Sequence, residues 1–158
     1  MKPLINIAFL LLAPSLALAQ FGTANHAVTV QVATITVLQV SAGSVNLNIA
    51  SSSAVAGQDM MSVSDESTTL LWGTNSGGRK ITVNSSLSAP TFTLKTLAVN
   101  PTQGSPAAEA ILTSTPVDFM LNVGRSLGTC FIRYTGTALA SQGTGTDSHT
   151  ITFTIQAQ

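Results

Sequence analysis

NHAVTVQVATITVLQV, residues 25–40, decides how this chain folds. With His neutral it carries no charge, and its apolar side chains mostly alternate with small polar ones. A period of two puts one set of side chains on one face of a β-strand. His26, Val28, Val30 and Val32 share such a face. Ile35 and Val37 then fall on odd numbers, so the phase slips near residues 33–34, as at a bulge or kink where a strand changes sheets. Nothing in residues 25–32 guards an edge: there is no Lys, Glu or Pro, and left unpaired the segment is an aggregation template. It therefore pairs with something, either a sheet of its own domain or the sheet of a neighbour.

Upstream, Lys2 precedes the apolar run LINIAFLLLA at residues 4–13. Pro14 and Ser15 interrupt it, and ALA at residues 17–19 stands before Gln20. This is the pattern of a secretory signal peptide. The run is shorter than the roughly 20 residues a membrane-spanning helix needs. Residues 1–19 are thus expected to be cleaved, leaving residues 20–158 as one domain with no membrane span. The expected location is extracellular or at the cell surface, reached through the periplasm.

Downstream the chain reads as strands without a convincing helix. SVNLNIA alternates Val45, Leu47 and Ile49 against two asparagines. TTLLWG and RKITVNS, joined by TNSGG, read as a hairpin over residues 68–84, with Asn75, Gly77 and Gly78 as turn residues. TFTLKTLAV, a short piece at Ile111 and Leu112, VDFMLNV, TCFIRYTG and HTITFTIQA complete the set. About seven to nine strands separated by turn signals predict an all-β fold, an immunoglobulin-like antiparallel β-sandwich. A closed barrel fits the same pattern. Trp72 is expected in the core.

Composition narrows the chemistry. Six Lys and Arg balance six Asp and Glu. Such sparse basic charge does not suit nucleic acid, whose phosphates need clustered cations. Cys130 is the only cysteine, so no disulfide can form within the chain. It shares a strand face with Ile132 and Tyr134 and reads as a buried apolar residue. Asp147 and His149, two apart, are the one carboxylate–imidazole pair close in sequence, and no G-x-S-x-G motif accompanies them. Two distant histidines and one cysteine give no zinc spacing, and Asp59, Asp65 and Glu66 form no regular calcium loop. No catalytic residue, metal or cofactor is therefore assigned. Asn84 begins an N-S-S sequon, a pattern of low specificity. With one Trp and one Tyr, the chain is poor in the aromatic platforms that a stand-alone carbohydrate-binding module uses.

The opening stretch, continued as HAVTVQVATITVLQVSAGSVNL, resembles the amino terminus of bacterial pilins of the chaperone–usher type, in particular the alternate class that lacks the pilin disulfide. RKITVN resembles their central lysine-containing strand, and TGTALASQGTGTDSHTITFTIQAQ their Gly-rich loop and closing strand. The resemblance implies a non-enzymatic structural or adhesive subunit of a fimbrium. Its sandwich would be incomplete and completed by the amino-terminal strand of a neighbour, so the partners would be copies of itself or related subunits. It also implies that His26, Val28, Val30 and Val32 are the donor-strand residues. The alternatives from the residues alone are a secreted binding module and, less favoured, a secreted hydrolase.

Overall fold

The computed structural model describes residues 22–41 and 43–158. The chain divides into two units, Met1–Val32 and Ala33–Gln158. The division falls where the alternation of the opening stretch changes phase. The proposed signal peptide lies outside the described residues. In the first unit, residues 22–32 form no helix or strand, and Val28, Val30 and Val32 are 73%, 84% and 70% exposed. The strand expected over residues 26–32 is thus absent. An alternating segment gains little from extending without a partner ladder.

The described residues of the second unit hold nine strands: β1 (Thr36–Val40), β2 (Met60–Thr74), β3 (Arg79–Ser85), β4 (Thr93–Val99), β5 (Ser105–Pro106), β6 (Ala110–Ile111), β7 (Val117–Val123), β8 (Ser126–Leu139) and β9 (Ile151–Ala157). They form two antiparallel sheets, ordered β1-β2-β8-β4-β6 and β5-β7-β3-β9, which is the expected β-sandwich. The long β2–β8 ladder, from Met60 opposite Leu139 to Thr74 opposite Ser126, is the spine of the first sheet. A bulge between Asp65 and Thr68 interrupts it. There Asp65 accepts hydrogen bonds from the Ser67 N–H and hydroxyl, which hold its carboxyl below the ordinary range, and Glu66 pairs with Arg133.

The inward apolar residues follow the period of two on β2, β3 and β8, while on β7 the adjacent Phe119 and Met120 are both buried beside register shifts in the β3–β7 ladder. Leu70 and Trp72 on β2, Ala98 on β4 and Cys130, Ile132 and Tyr134 on β8 meet Ile81 and Val83 on β3 and Phe119, Met120 and Val123 on β7. Full burial of a Leu, Ile or Val side chain stabilises by about 1.5–3 kcal/mol, so this layer is the main source of stability in a disulfide-free domain.

One expected pairing is corrected. β2 and β3 are neighbours in sequence but lie in different sheets, so residues 68–84 form a corner and not a hairpin. Of the three expected turn residues, only Gly78 takes a positive φ, 63°. Asn75 spends its side chain elsewhere, as described below.

Cys130 is a free, buried thiol, as its strand face suggested. Loss of hydration pushes it from 9.0 up to about 11, and pushes Tyr134 from 10.0 up to about 12. Both groups bind protons more tightly in the folded state than in the unfolded one. Their contribution is whole below about pH 9 and is lost as pH climbs through 9–12. The melting temperature should accordingly be flat through neutral pH and fall above about pH 9, where the unfolding free energy drops by up to about 1.4 kcal/mol per pH unit for each group. A pH series of thermal melts checks this, and Cys130→Ala should remove the part of the slope that begins first.

Candidate functional site

The two sides of the sandwich are closed differently. On one side, the connection from β4 to β7 gives β6 to the first sheet and β5 to the second, and Leu112 fills the space beneath with no exposure. On the other side the sheets end in β1 and β9. These two strands lie beside one another without a hydrogen-bonded ladder.

The chain that follows β1 does not close this side. Residues 44–49 keep the expected alternation: Val45, Leu47 and Ile49 are half-buried, while Ser44, Asn46 and Asn48 are exposed. Leu47 packs over Gly136 of β8, where an added Cβ would lie 3.3 Å from its Cδ1. Yet residues 43–50 belong to neither sheet, so the strand expected over SVNLNIA has its side-chain pattern without its ladder.

β9 presents the complementary feature. Its register with β3 runs from Ile151 opposite Ser85 to Ala157 opposite Arg79, and its other edge has no neighbour in the sheet. Ile151, Phe153 and Ile155 turn inward against the core and remain only half-buried. Phe153 meets Phe119 edge to face, with centroids 5.0 Å apart and planes at 68°. ITFTIQA contains no Lys, Glu or Pro. An edge strand leaves alternate N–H and C=O groups pointing off the sheet, and charge, Pro or a bulge is the usual protection. This edge has none of these, and beside it lies an apolar floor that is only partly covered. Such an arrangement can accept an extended segment through main-chain hydrogen bonds, with alternate side chains entering the floor.

The start of β9 is well anchored. His149 Nδ1 and Ser85 Oγ are 2.8 Å apart, and Ser85 Oγ also accepts the Leu87 N–H at 3.1 Å. Ser86 and Thr150 continue the ladder through Ser86 N–H to Thr150 O at 2.9 Å and Thr150 N–H to Ser86 Oγ at 3.0 Å. Asp147 does not orient His149. Its Oδ2 accepts the Phe92 N–H at 2.8 Å and ties the preceding loop to the approach of β4. Ser85 has no exposed surface, so no substrate carbonyl reaches the hydroxyl next to the imidazole. The pair fixes the β3–β9 ladder.

The acidic residues are dispersed among protein partners. Asp59 accepts from Ser141, Asp65 from Ser67, and Glu66 pairs with Arg133. No group of three His, Cys, Asp or Glu gathers among the described residues. Trp72 and Tyr134 are 3% and 7% exposed, so neither offers a ring to a sugar. Among the described residues no helix is long and apolar enough to cross a membrane.

The outward face of the first sheet carries an apolar patch of Ile35, Val37, Leu71, Leu127 and Phe131. Ile35 and Val37, whose odd numbering marked the phase slip, lie on this outward face. The register puts Leu38 opposite Trp72 on the inside and Val37 opposite Gly73 on the outside. Gly73 leaves room there: an added Cβ would lie 2.8 Å from Leu127 Cδ2 and 2.9 Å from Val37 Cγ2.

The sequence marks Asn75 only as a turn residue, and the structure gives it a larger part. Asn75, just beyond β2, holds the chain where it enters the second unit. Its Oδ1 accepts the Ile35 N–H at 2.8 Å, its Nδ2 donates to Ala33 O at 2.8 Å, and its backbone N–H donates to Ile35 O at 3.3 Å. Comparison with protein-family models, curated proteins and solved structures finds no match to this chain.

Proposed function

We propose that this protein is a secreted, pilin-like structural subunit that assembles by strand addition. Residues 25–32 of one copy occupy the open edge of β9 in the next, and the product is a surface fibre suited to adhesion. The observation that carries this reading is a match within one chain. Ile151, Phe153 and Ile155 are three half-buried apolar residues at alternate positions along an unprotected edge. Val28, Val30 and Val32 are three exposed apolar residues at alternate positions in a segment that belongs to neither sheet. At about 3.3–3.4 Å per residue, residues 25–32 span the seven residues of β9 with one to spare. His26 continues the same face.

Burying the three valines gives about 5–9 kcal/mol before the cost of ordering the segment is subtracted. That scale supports stable association without a large flat interface. The open binding-module alternative lacks a comparable feature, since the two amphipathic aromatics are inside the core.

Complementation by peptide tests the reading. A chain lacking residues 20–32 should remain monomeric and melt low. The peptide NHAVTVQV should bind it one to one and raise its melting temperature, with about 2.7 kcal/mol gained at a hundredfold excess over the dissociation constant. A truncated chain that melts like the full one and ignores the peptide would refute strand addition.

A further inference from the structure

We infer that Asn75 commits residues 25–32 to a second copy, by holding the chain straight where it would have to turn back to fill its own β9 edge. The inference rests on the strand-addition reading and adds to it the residue that selects the neighbour over the self.

Asn75 works as a continuation of β2. The β1–β2 ladder ends with Thr36 opposite Thr74. Beyond it, the Asn75 amide takes the place of a further peptide group: Oδ1 receives the Ile35 N–H and Nδ2 reaches Ala33 O. The backbone N–H of Asn75 adds the bond to Ile35 O. Ala33 and Ile35 thereby stay on the edge of the first sheet, in line with β1.

β1 itself lies beside β9. For residues 25–32 to enter that space within one chain, they would have to fold back on β1 as a hairpin, with the reversal at residues 33–35. Tight hairpins of two or three residues need positive φ, which Gly, Asn and Asp supply. Ala33, Thr34 and Ile35 include two β-branched residues, and none of the three has a positive φ. The reversal would also break both Asn75 side-chain bonds. The same chain entering a neighbour's edge keeps these bonds and needs no turn.

The test uses a chain of residues 20–158 with Asn75→Ala and Asn75→Asp. Asn75 is exposed, so neither change disturbs the core. Aspartate keeps an acceptor for the Ile35 N–H and loses the donor to Ala33 O. Molar mass is followed against concentration by light scattering, beside melting temperature and protease sensitivity of residues 20–32. Loss of both side-chain bonds should lower the ratio of assembled to closed protein roughly 10- to 100-fold in Asn75→Ala. The closed species should be a monomer that melts as high as the assembled protein and whose first segment resists protease, since its own β9 edge is filled. Asn75→Asp should fall between the two. A residue with a purely structural role would lower the melting temperature and leave this partition unchanged. If Asn75→Ala assembles to the same masses at the same concentrations, or yields monomers with a protease-sensitive segment, the inference is wrong while strand addition stands. If the unaltered chain is monomeric at every concentration, strand addition fails and the inference with it.

Discussion

Val30→Asp should abolish self-association and leave the melting of the sandwich where it is. Val30 is 84% exposed and belongs to neither sheet, so within one chain the change is an exposed substitution worth less than about 0.5 kcal/mol. In the assembled protein the same residue would face the floor made by Ile151, Phe153 and Ile155. The variant forfeits about 1.5–3 kcal/mol of valine burial. It also brings an unpaired carboxylate against an apolar surface, which costs several kcal/mol more. Together these weaken association by a factor of about a thousand or more. Thr29→Asp is the matched control. It carries the same charge on the alternate, solvent-facing side of the segment and should weaken association less than tenfold. Light scattering with melts on the three chains checks the contrast. Equal loss for Thr29→Asp and Val30→Asp would mean that charge, and not the facing of the segment, governs association.

Gly128→Val should destabilise the sandwich more than any other single glycine replacement. Gly128 lies opposite Trp72 across the β2–β8 ladder. An added Cβ would run into the indole, coming within 2.8 Å of its Nε1 and closer still to two ring carbons. The indole is 3% exposed, so yielding to the new side chain means leaving a buried position. Displacing it forfeits burial on the scale of a Trp→Ala truncation, about 3–5 kcal/mol, and overpacking adds strain. Against the 5–15 kcal/mol typical of a domain, that is a large fraction. The melting temperature should fall by roughly 10–20 °C or the chain should fail to fold. Gly124→Ala, where an added Cβ meets nothing within 4 Å and φ is not positive, should be nearly neutral. Denaturant or thermal melts of the pair provide the comparison.

The alternation of inside and outside was legible because it is local. Cys130, Ile132 and Tyr134 share a buried face, and Ile151, Phe153 and Ile155 share a half-buried one, as their spacing predicts. The choice of sheet was not legible. TNSGG has the composition of a hairpin turn, but it joins β2 to β3 across the sandwich, since β2 is already paired on both edges, with β1 and β8. The first half of β2, MMSVSDES, is too rich in Ser and acid to read as a strand. It is held by long-range pairing with residues of β8, which no local pattern records. Residues 44–49 show the reverse case, a correct alternation without a ladder. The role of Asn75 depends on backbone groups 40 and 42 residues away, so its composition pointed only to a turn. The open edge, likewise, is a property of topology. The sequence offers an ungated closing strand, and only the order β5-β7-β3-β9 makes it an edge.

Molar mass against concentration for a purified chain of residues 20–158 tests strand addition most directly. The account predicts masses that rise with concentration in whole-subunit steps, and a plain monomer when residues 20–32 are removed. A full-length chain that stays monomeric at every concentration, and whose melting temperature collapses in Val30→Asp, would contradict it and place the opening segment in its own sandwich.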